Sequence, residues 1–210
     1  RLVYARVLRK NLNRLSLDTD FILVGDFNSD FDEWENLRNH PELNDTGGVA
    51  GINQILGTIR DSGLITEKKV LSNPTGRYLY NLWLEVGPGE RWSRKYYDSK
   101  GSTDHIIVSG ALYDEKGISY IDESFRKFDP DYLFLNGKLF RWQRSDNGEG
   151  MHLGEGYSDH LPLVARFSTE PFSRANAEKA SSFSPGEEVS ISELYGVKAG
   201  EINVRLKNCV

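Results

Sequence analysis

Residues 21–25 read Phe-Ile-Leu-Val-Gly, and they are followed by Asp26, Phe27 and Asn28. An apolar run between the polar residues Asp20 and Asp26 is typical of a strand that is buried on both faces. Strands of this kind occur in layered domains in which helices cover a central sheet. We therefore predict an α/β fold with this strand inside it.

Other segments carry the periodicity of helices and strands. Helices are predicted at the start of the chain, from the stripe Tyr4, Leu8, Leu12 and Leu15, over residues 30–39, and over residues 50–62, where Ile52, Ile55, Leu56 and Ile59 precede a C-cap at Gly63. Strands are predicted at 106–108 and 161–167, with further candidates at 78–86 and 118–124. These elements complete an α/β pattern over residues 1–168.

The length of 210 residues suits one substantial domain and a small appendage. Residues 169–187 are polar and predict a linker, and the alternating apolar residues near the end of 188–210 predict the start of a further, incomplete module. The first residues already have a helical pattern and lack an initiator methionine. We therefore expect a segment upstream of Arg1.

Charge and composition exclude several classes of protein. The 26 basic residues are outnumbered by 31 acidic ones, so there is no overall basic field of the kind that polybasic nucleic-acid binders use. No apolar run approaches the length that spans a bilayer, so no membrane span is predicted. The single cysteine, Cys209, excludes an internal disulfide and a cysteine-based zinc cluster.

Polar side chains follow the first strand at its carboxyl end. Side chains two apart on an extended chain point the same way, so Asp26 and Asn28 can project together where open α/β sheets bind ligands. The alternative is an ordinary turn, because Gly, Asp and Asn all favour turns. Asp30 and Asp32 are interpreted as capping or first-turn charges of the following helix.

Two later segments also place polar groups at strand ends. In residues 102–109, Asp104 shares a face with Ile106 and Val108, so this carboxylate needs a partner beside an apolar core. His105 points the other way and is interpreted as structural. In residues 156–162, Asp159 and His160 enter a strand; a serine-hydrolase relay is excluded because Ser158 is contiguous with them.

The segments ILVGDFN at 22–28, STDHIIVS at 102–109 and YSDHLP at 157–162, in this order, resemble the endonuclease/exonuclease/phosphatase superfamily. These are metal-dependent phosphoesterases of the DNase I and exonuclease III type. The resemblance covers about residues 1–168 and corresponds to the second half of that domain. It implies part of a four-layer α/β sandwich with mixed central sheets flanked by helices, and a bacterial, secreted or periplasmic nuclease.

The resemblance also implies roles for five residues. Asp26 would orient or deprotonate the attacking water and share in the metal site, and Asn28 would position that water. Asp159 would belong to the metal shell. His160 would contact a phosphate oxygen, with its tautomer held by Asp104. The implied cofactor is Mg²⁺, with Mn²⁺ or Ca²⁺ as alternatives.

The family's first half supplies a metal-binding Glu, an Asn and a Tyr, and this chain contains no matching positions. Glu33 and Glu35 follow the GDFN segment but do not match the metal-binding Glu. We therefore expect an upstream half to complete the site, and the chain alone to bind metal poorly.

Cations and aromatic residues are mixed in residues 77–97, and from these we predict a substrate surface made by Arg91, Trp92, Arg94 and Tyr96. The alternative is that the aromatic residues are core and the cations are solvated surface. Residues 138–144 form a smaller patch of the same kind.

The leading functional hypothesis is a metal-dependent phosphodiester hydrolase that acts on nucleic acid as a nuclease. The alternatives are a phosphatase or lipid phosphodiesterase on the same fold, and a catalytically inactive binding module.

Overall fold

The computed structural model describes residues 1–96 and 99–173. The module predicted at 188–210 and the linker beyond residue 173 lie outside the described residues. The helices are α1 (Leu2–Leu12), α2 (Glu33–Asn39) and α3 (Glu67–Ser72). The strands are β1 (Ile22–Asp26), β2 (Ile59–Arg60), β3 (Gly63–Leu64), β4 (Leu79–Asn81), β5 (Arg94–Tyr96), β6 (Ser99–Gly101), β7 (Asp104–Ser109), β8 (Ser119–Tyr120), β9 (Arg126–Lys127), β10 (Phe134–Leu135), β11 (Lys138–Leu139), β12 (Leu163–Val164) and β13 (Phe167–Ser168). The fold is α/β, as predicted, with small antiparallel sheets.

The central sheet of the described chain has the order β1-β7-β4, and both pairings are antiparallel. Ile107 and Val108 of β7 are fully buried, on opposite faces of the sheet. The strand predicted at 106–108 is therefore confirmed. The register places Asp26 directly opposite Asp104, so two carboxylates meet at one end of the sheet.

The prediction that the first strand is buried on both faces is wrong for the described chain. Within residues 1–96 and 99–173, β1 pairs with β7 alone and lies at the edge of the sheet. Val24 keeps 40 % of its surface exposed, while Ile22 and Leu23 are only partly buried. An uninterrupted apolar run is therefore compatible with an edge position here.

Helix α1 covers one face of the sheet. Ala5, Leu8 and Leu12 pack against the cluster that contains Leu56 and Ile107. The predicted apolar stripe is only half right, because Tyr4 and Leu15 are exposed. Ala5 lies on the face of α1 that packs against the sheet, and its small side chain allows a close approach to Gly51.

The helix predicted over residues 50–62 is wrong beyond its first turn. Gly51–Ile55 forms a single π-helical turn, and the chain then enters the β2–β3 hairpin. The fully buried Asn53 explains the change. Its side chain accepts from the Trp34 amide at 2.9 Å and donates to the Phe31 carbonyl at 2.8 Å, so the turn is tied to the segment before α2.

A large aromatic core covers the other face of the sheet. Of the strand candidate at 78–86 only Leu79–Asn81 is strand, because the chain turns into a 3-10 helix at Leu82–Glu85 that buries Trp83. The strand predicted at 161–167 is split into β12 and β13. Phe172 is buried against Tyr113, so packing continues past the predicted domain boundary at 168.

A group of carboxyls lies at the margin of this core. Oε2 of Glu85 accepts from the Tyr120 hydroxyl at 2.6 Å, and its buried Oε1 has no partner in the described chain. Burial, opposed by the Tyr120 hydrogen bond and reinforced by the charges of Asp122 and Glu67, raises the pKa of Glu85 to about 8. Burial, reinforced by the charge of Asp122, raises the pKa of Glu67 to about 7.

This placement predicts a pH-dependent stability. A carboxyl with a raised pKa in the folded state favours the protonated form, so the free energy of unfolding should fall as pH rises from about 4.5 to about 8. We expect Glu85→Gln, which mimics the neutral form, to stabilise the protein by up to about 4 kcal/mol at pH 8 and to leave its stability unchanged at pH 4. Urea unfolding across this pH range measures the difference. The exposed Glu149→Gln is the control, and equal pH slopes in Glu85→Gln and wild type would contradict the assignment.

Candidate active site

Asp26 is the last residue of β1, and its carboxylate organises the turn that follows. Oδ1 accepts from the backbone amide of Asn28 at 2.8 Å, and Oδ2 accepts from the Asn28 side-chain amide at 3.3 Å. Asn28 has a φ of 52°, a conformation that asparagine tolerates better than most residues. The turn interpretation of this segment is therefore confirmed, and the turn presents an exposed carboxylate and an amide side by side. The functional interpretation stays a prediction.

Asp104 opens β7 and has the partner that its position requires. Its Oδ2 accepts a hydrogen bond from Nδ1 of His160 at 2.7 Å and another from the Ser93 hydroxyl at 2.5 Å. The indole of Trp83 donates to the Asp104 backbone carbonyl at 2.7 Å, which fixes the strand end against the core. Two side-chain donors thus hold the carboxylate, and the indole holds its backbone.

His160 reaches this carboxylate from the segment before β12. The side chains of His160 and Asp104 keep 24 % and 20 % of their surface exposed, so the pair is accessible to a ligand. The hydrogen bond that His160 donates to Asp104 raises the pKa of the ring. Burial opposes this shift, and the charges of Asp104, Asp159 and Asp26 reinforce it. With Nδ1 committed to Asp104, Nε2 is the ring nitrogen left for a ligand.

Asp26, Asp104 and His160 come together at one end of the central sheet. One ligand atom from each lies within 4.8 Å of the other two, and among the described residues this is the one such group of three. The three segments that the sequence singled out therefore converge. The shared end holds two carboxylates, an imidazole and the amide of Asn28 around an open surface.

A family model described as the Endonuclease/Exonuclease/phosphatase family matches residues 3–160. The chain belongs to this family. No curated protein and no solved structure matches the chain. Membership supports a hydrolase that acts on ester bonds, of the phosphoesterase and nuclease type, in a family that is generally dependent on divalent metals.

The candidate site has donors that suit a hard divalent cation, because carboxylate oxygens are the ligands such ions prefer. Asp104 and His160 already bind each other, which leaves the exposed carboxylate of Asp26 as the group most free to hold an ion. The donor chemistry therefore fits the family's cofactor class. The identity of the ion stays a prediction.

Asp159, predicted as a second metal ligand, precedes His160 and is half-buried. It is not one of the three clustered groups, although its charge contributes to the raised pKa of His160. Its metal role stays a prediction.

His105 is structural, as predicted. Nδ1 of the buried ring accepts from the Asn81 side-chain amide at 3.0 Å, and Nε2 donates to the Ser29 carbonyl at 2.7 Å. Burial lowers the pKa of His105 to about 4, so the ring stays neutral at physiological pH. Asp30 does not cap α2: it accepts from the Ser102 amide at 2.7 Å and joins the GDFN segment to the start of β7.

The predicted substrate residues differ in their accessibility. Trp92 is only 8 % exposed, with the ammonium groups of Lys100 and Lys127 4.7 and 4.1 Å from its ring centroid, so its ring is not open to a base. Arg91 is half-buried and donates to the carbonyls of Val86 and Leu84. Arg94 pairs through its backbone with His160, next to the site. The side chain of Tyr96 lies outside the described part of the chain.

No helix in the described residues has the length and apolar character needed to cross a bilayer.

The sequence motifs missed one residue of this site, Ser93. Nothing in its sequence neighbourhood marks it, because the signal is its contact with Asp104 across the sheet end.

Proposed function

We propose that the protein is a metal-dependent phosphodiester hydrolase, a nuclease that cleaves DNA or RNA by in-line attack of water, built on the four-layer sandwich of its family. The observation that carries this proposal is the convergence of Asp26 with the hydrogen-bonded pair Asp104 and His160. Phosphoryl transfer depends on positioning and charge stabilisation more than on covalent chemistry, and this arrangement offers both.

In the proposed reaction Asp26 accepts a proton from the attacking water, which Asn28 orients beside it. The water oxygen bonds to phosphorus as the opposite phosphorus–oxygen bond breaks, and the leaving sugar oxygen takes a proton from solvent. The side chains of Asp26 and Asn28 are already hydrogen-bonded, so they present an acceptor and an amide at one point. His160 in its protonated form donates from Nε2 to a phosphate oxygen, while Asp104 holds Nδ1 and stabilises the positive ring. Mg²⁺, held by Asp26 and by Asp159, would supply positive charge against the developing phosphate charge.

Hydrolysis of different phosphate esters, both diesters and monoesters, tests the proposal. The full-length natural protein is incubated in Mg²⁺ with plasmid DNA, RNA, inositol phosphates and sphingomyelin, and with EDTA as a control. We expect cleavage of a nucleic acid that EDTA abolishes. Activity confined to inositol phosphates or sphingomyelin would assign a phosphatase or lipid phosphodiesterase, and binding without turnover would assign an inactive module.

Exposed aromatic residues, one of them three positions before His160 in the sequence, favour a nucleic-acid substrate. Trp142 and Tyr157 keep 43 % and 56 % of their surfaces exposed, and the Arg144 guanidinium lies 5.6 Å from the Trp142 ring centroid. Gly156, with a φ of 81°, lies so close to the Arg141 carbonyl that no side chain fits there. This contact places the segment that carries Tyr157 against residues 141–142. The same segment leads directly into Asp159 and His160.

We expect Trp142→Ala and Tyr157→Ala to raise KM for single-stranded DNA while leaving kcat nearly unchanged. A stacked base contributes about 1–3 kcal/mol, which corresponds to an increase in KM of about 5- to 150-fold. Steady-state kinetics on an oligonucleotide measure both constants. Leu135→Ala, an exposed apolar residue on the β10–β11 hairpin, is the control. Unchanged KM in both aromatic variants would contradict this surface.

A further inference from the structure

Ser93 is a fully buried serine between Trp92 and strand β5. Its backbone amide donates to the Gly101 carbonyl at 3.0 Å, so its main chain is fixed by the adjacent hairpin of β5 and β6. A hydroxyl in such a position must find its partners inside the protein.

The partner of this hydroxyl is the catalytic-site carboxylate. Ser93 Oγ donates to Oδ2 of Asp104 at 2.5 Å and lies 3.4 Å from the Asp104 backbone amide, which donates to it. The same Oδ2 accepts from Nδ1 of His160 at 2.7 Å. Two donors on one oxygen restrict the rotation of the carboxylate more than either donor alone would.

The main chain of Ser93 also holds the other member of the pair. Its carbonyl accepts from the Leu161 amide at 2.6 Å, one residue after His160. Arg94, the next residue, is the antiparallel backbone neighbour of His160. Ser93 therefore contacts the Asp104 side chain through its hydroxyl and the His160 segment through its backbone.

We propose that Ser93 is a positioning residue of the active site, which sets the orientation of the Asp104 carboxylate and thereby the aim of the His160 ring. The inference rests on the proposed function and assigns a residue to it. Most side-chain hydrogen bonds in proteins go to backbone groups or water. Here the hydroxyl lies on the one carboxylate oxygen that His160 uses.

The first test is kinetic. In the full-length protein Ser93→Ala is expected to lower kcat by about 10- to 100-fold with KM nearly unchanged, since removing a partner of an active-site group has effects of this size. Ser93→Thr, which keeps the hydroxyl, is expected to recover most of the lost kcat. Ser109→Ala is the matched control, because Ser109 is also buried and its hydroxyl bonds two backbone groups at the far end of β7.

The second test does not need turnover. The Nδ1 proton of His160, assigned by its loss in His160→Gln, is observed by nitrogen-edited NMR. We expect its resonance to shift in Ser93→Ala and to stay in place in Ser109→Ala. An inactive protein in which this shift occurs would refute the proposed function and leave the positioning role intact. Wild-type kcat in Ser93→Ala, or an unmoved His160 resonance, would overturn the inference.

Discussion

Replacing either Asp26 or His160 by alanine is expected to lower kcat of the full-length protein by about 10²- to 10⁴-fold, the range for loss of a general base or acid. Asp26 is exposed at the end of β1, and His160 is partly exposed. Neither side chain fills the core. Asp26→Ala should therefore hardly change the melting temperature, because exposed substitutions usually alter stability by about 0.5 kcal/mol or less. His160→Ala also removes one of the two side-chain donors to Asp104, so it should lower the free energy of unfolding by about 1–3 kcal/mol.

Two variants outside the site serve as controls for this prediction. His40 is an exposed histidine whose Nδ1 lies 3.2 Å from Glu42, so His40→Ala removes a histidine–carboxylate pair of the same kind. Asp45→Ala removes an exposed acid. Both controls should keep full activity. If Asp26→Ala or His160→Ala turned over at the wild-type rate, the roles assigned to these residues would be wrong.

The largest expected loss of stability follows from Asn53→Leu. Leucine has the same branched arrangement of side-chain heavy atoms, but it is larger and it leaves the Trp34 amide and the Phe31 carbonyl without the partners they have now. It also removes the contact to the Thr58 hydroxyl at 3.1 Å. Each buried polar group that loses its partner costs about 1–3 kcal/mol, so we expect a loss of about 2–5 kcal/mol in the free energy of unfolding.

Urea unfolding with a two-state fit measures this loss. Asn39→Leu is the matched control, since Asn39 is exposed at the end of α2 and should tolerate the change within about 0.5 kcal/mol. A wild-type midpoint for Asn53→Leu would mean that the π-helical turn does not depend on its asparagine.

The site was more predictable from the sequence than the surrounding fold. Strand β7 has a local signal, because its apolar residues are contiguous and β-branched, and Asp104 opens it. Alternation along the strand separates Asp104 from His105, and the structure places His105 inside and Asp104 at the open end. The resemblance then paired Asp104 with His160, which periodicity alone could not do.

The predictions that were wrong concern segments whose structure depends on contacts between residues far apart in the sequence. The spacing of Ile52, Ile55, Leu56 and Ile59 suits a long helix as well as it suits the observed turn and hairpin. The hydrogen bonds of the Asn53 side chain with the backbone of Phe31 and Trp34 favour the turn over the helix. A periodic pattern of apolar residues carries no information about these bonds. In the same way, the composition around Trp92 cannot report that two lysines cover its ring.

The register of β7 against β1 has a consequence for how this sequence can change over evolution. Asp104 faces Asp26, and His105 faces Gly25, with Ile106 and Val108 on one face and Ile107 on the other. A single-residue insertion or deletion before this strand would exchange the two faces, burying the acid and turning the neutral imidazole outward. Length variation among descendants should therefore accumulate in the surface connections and spare residues 102–109.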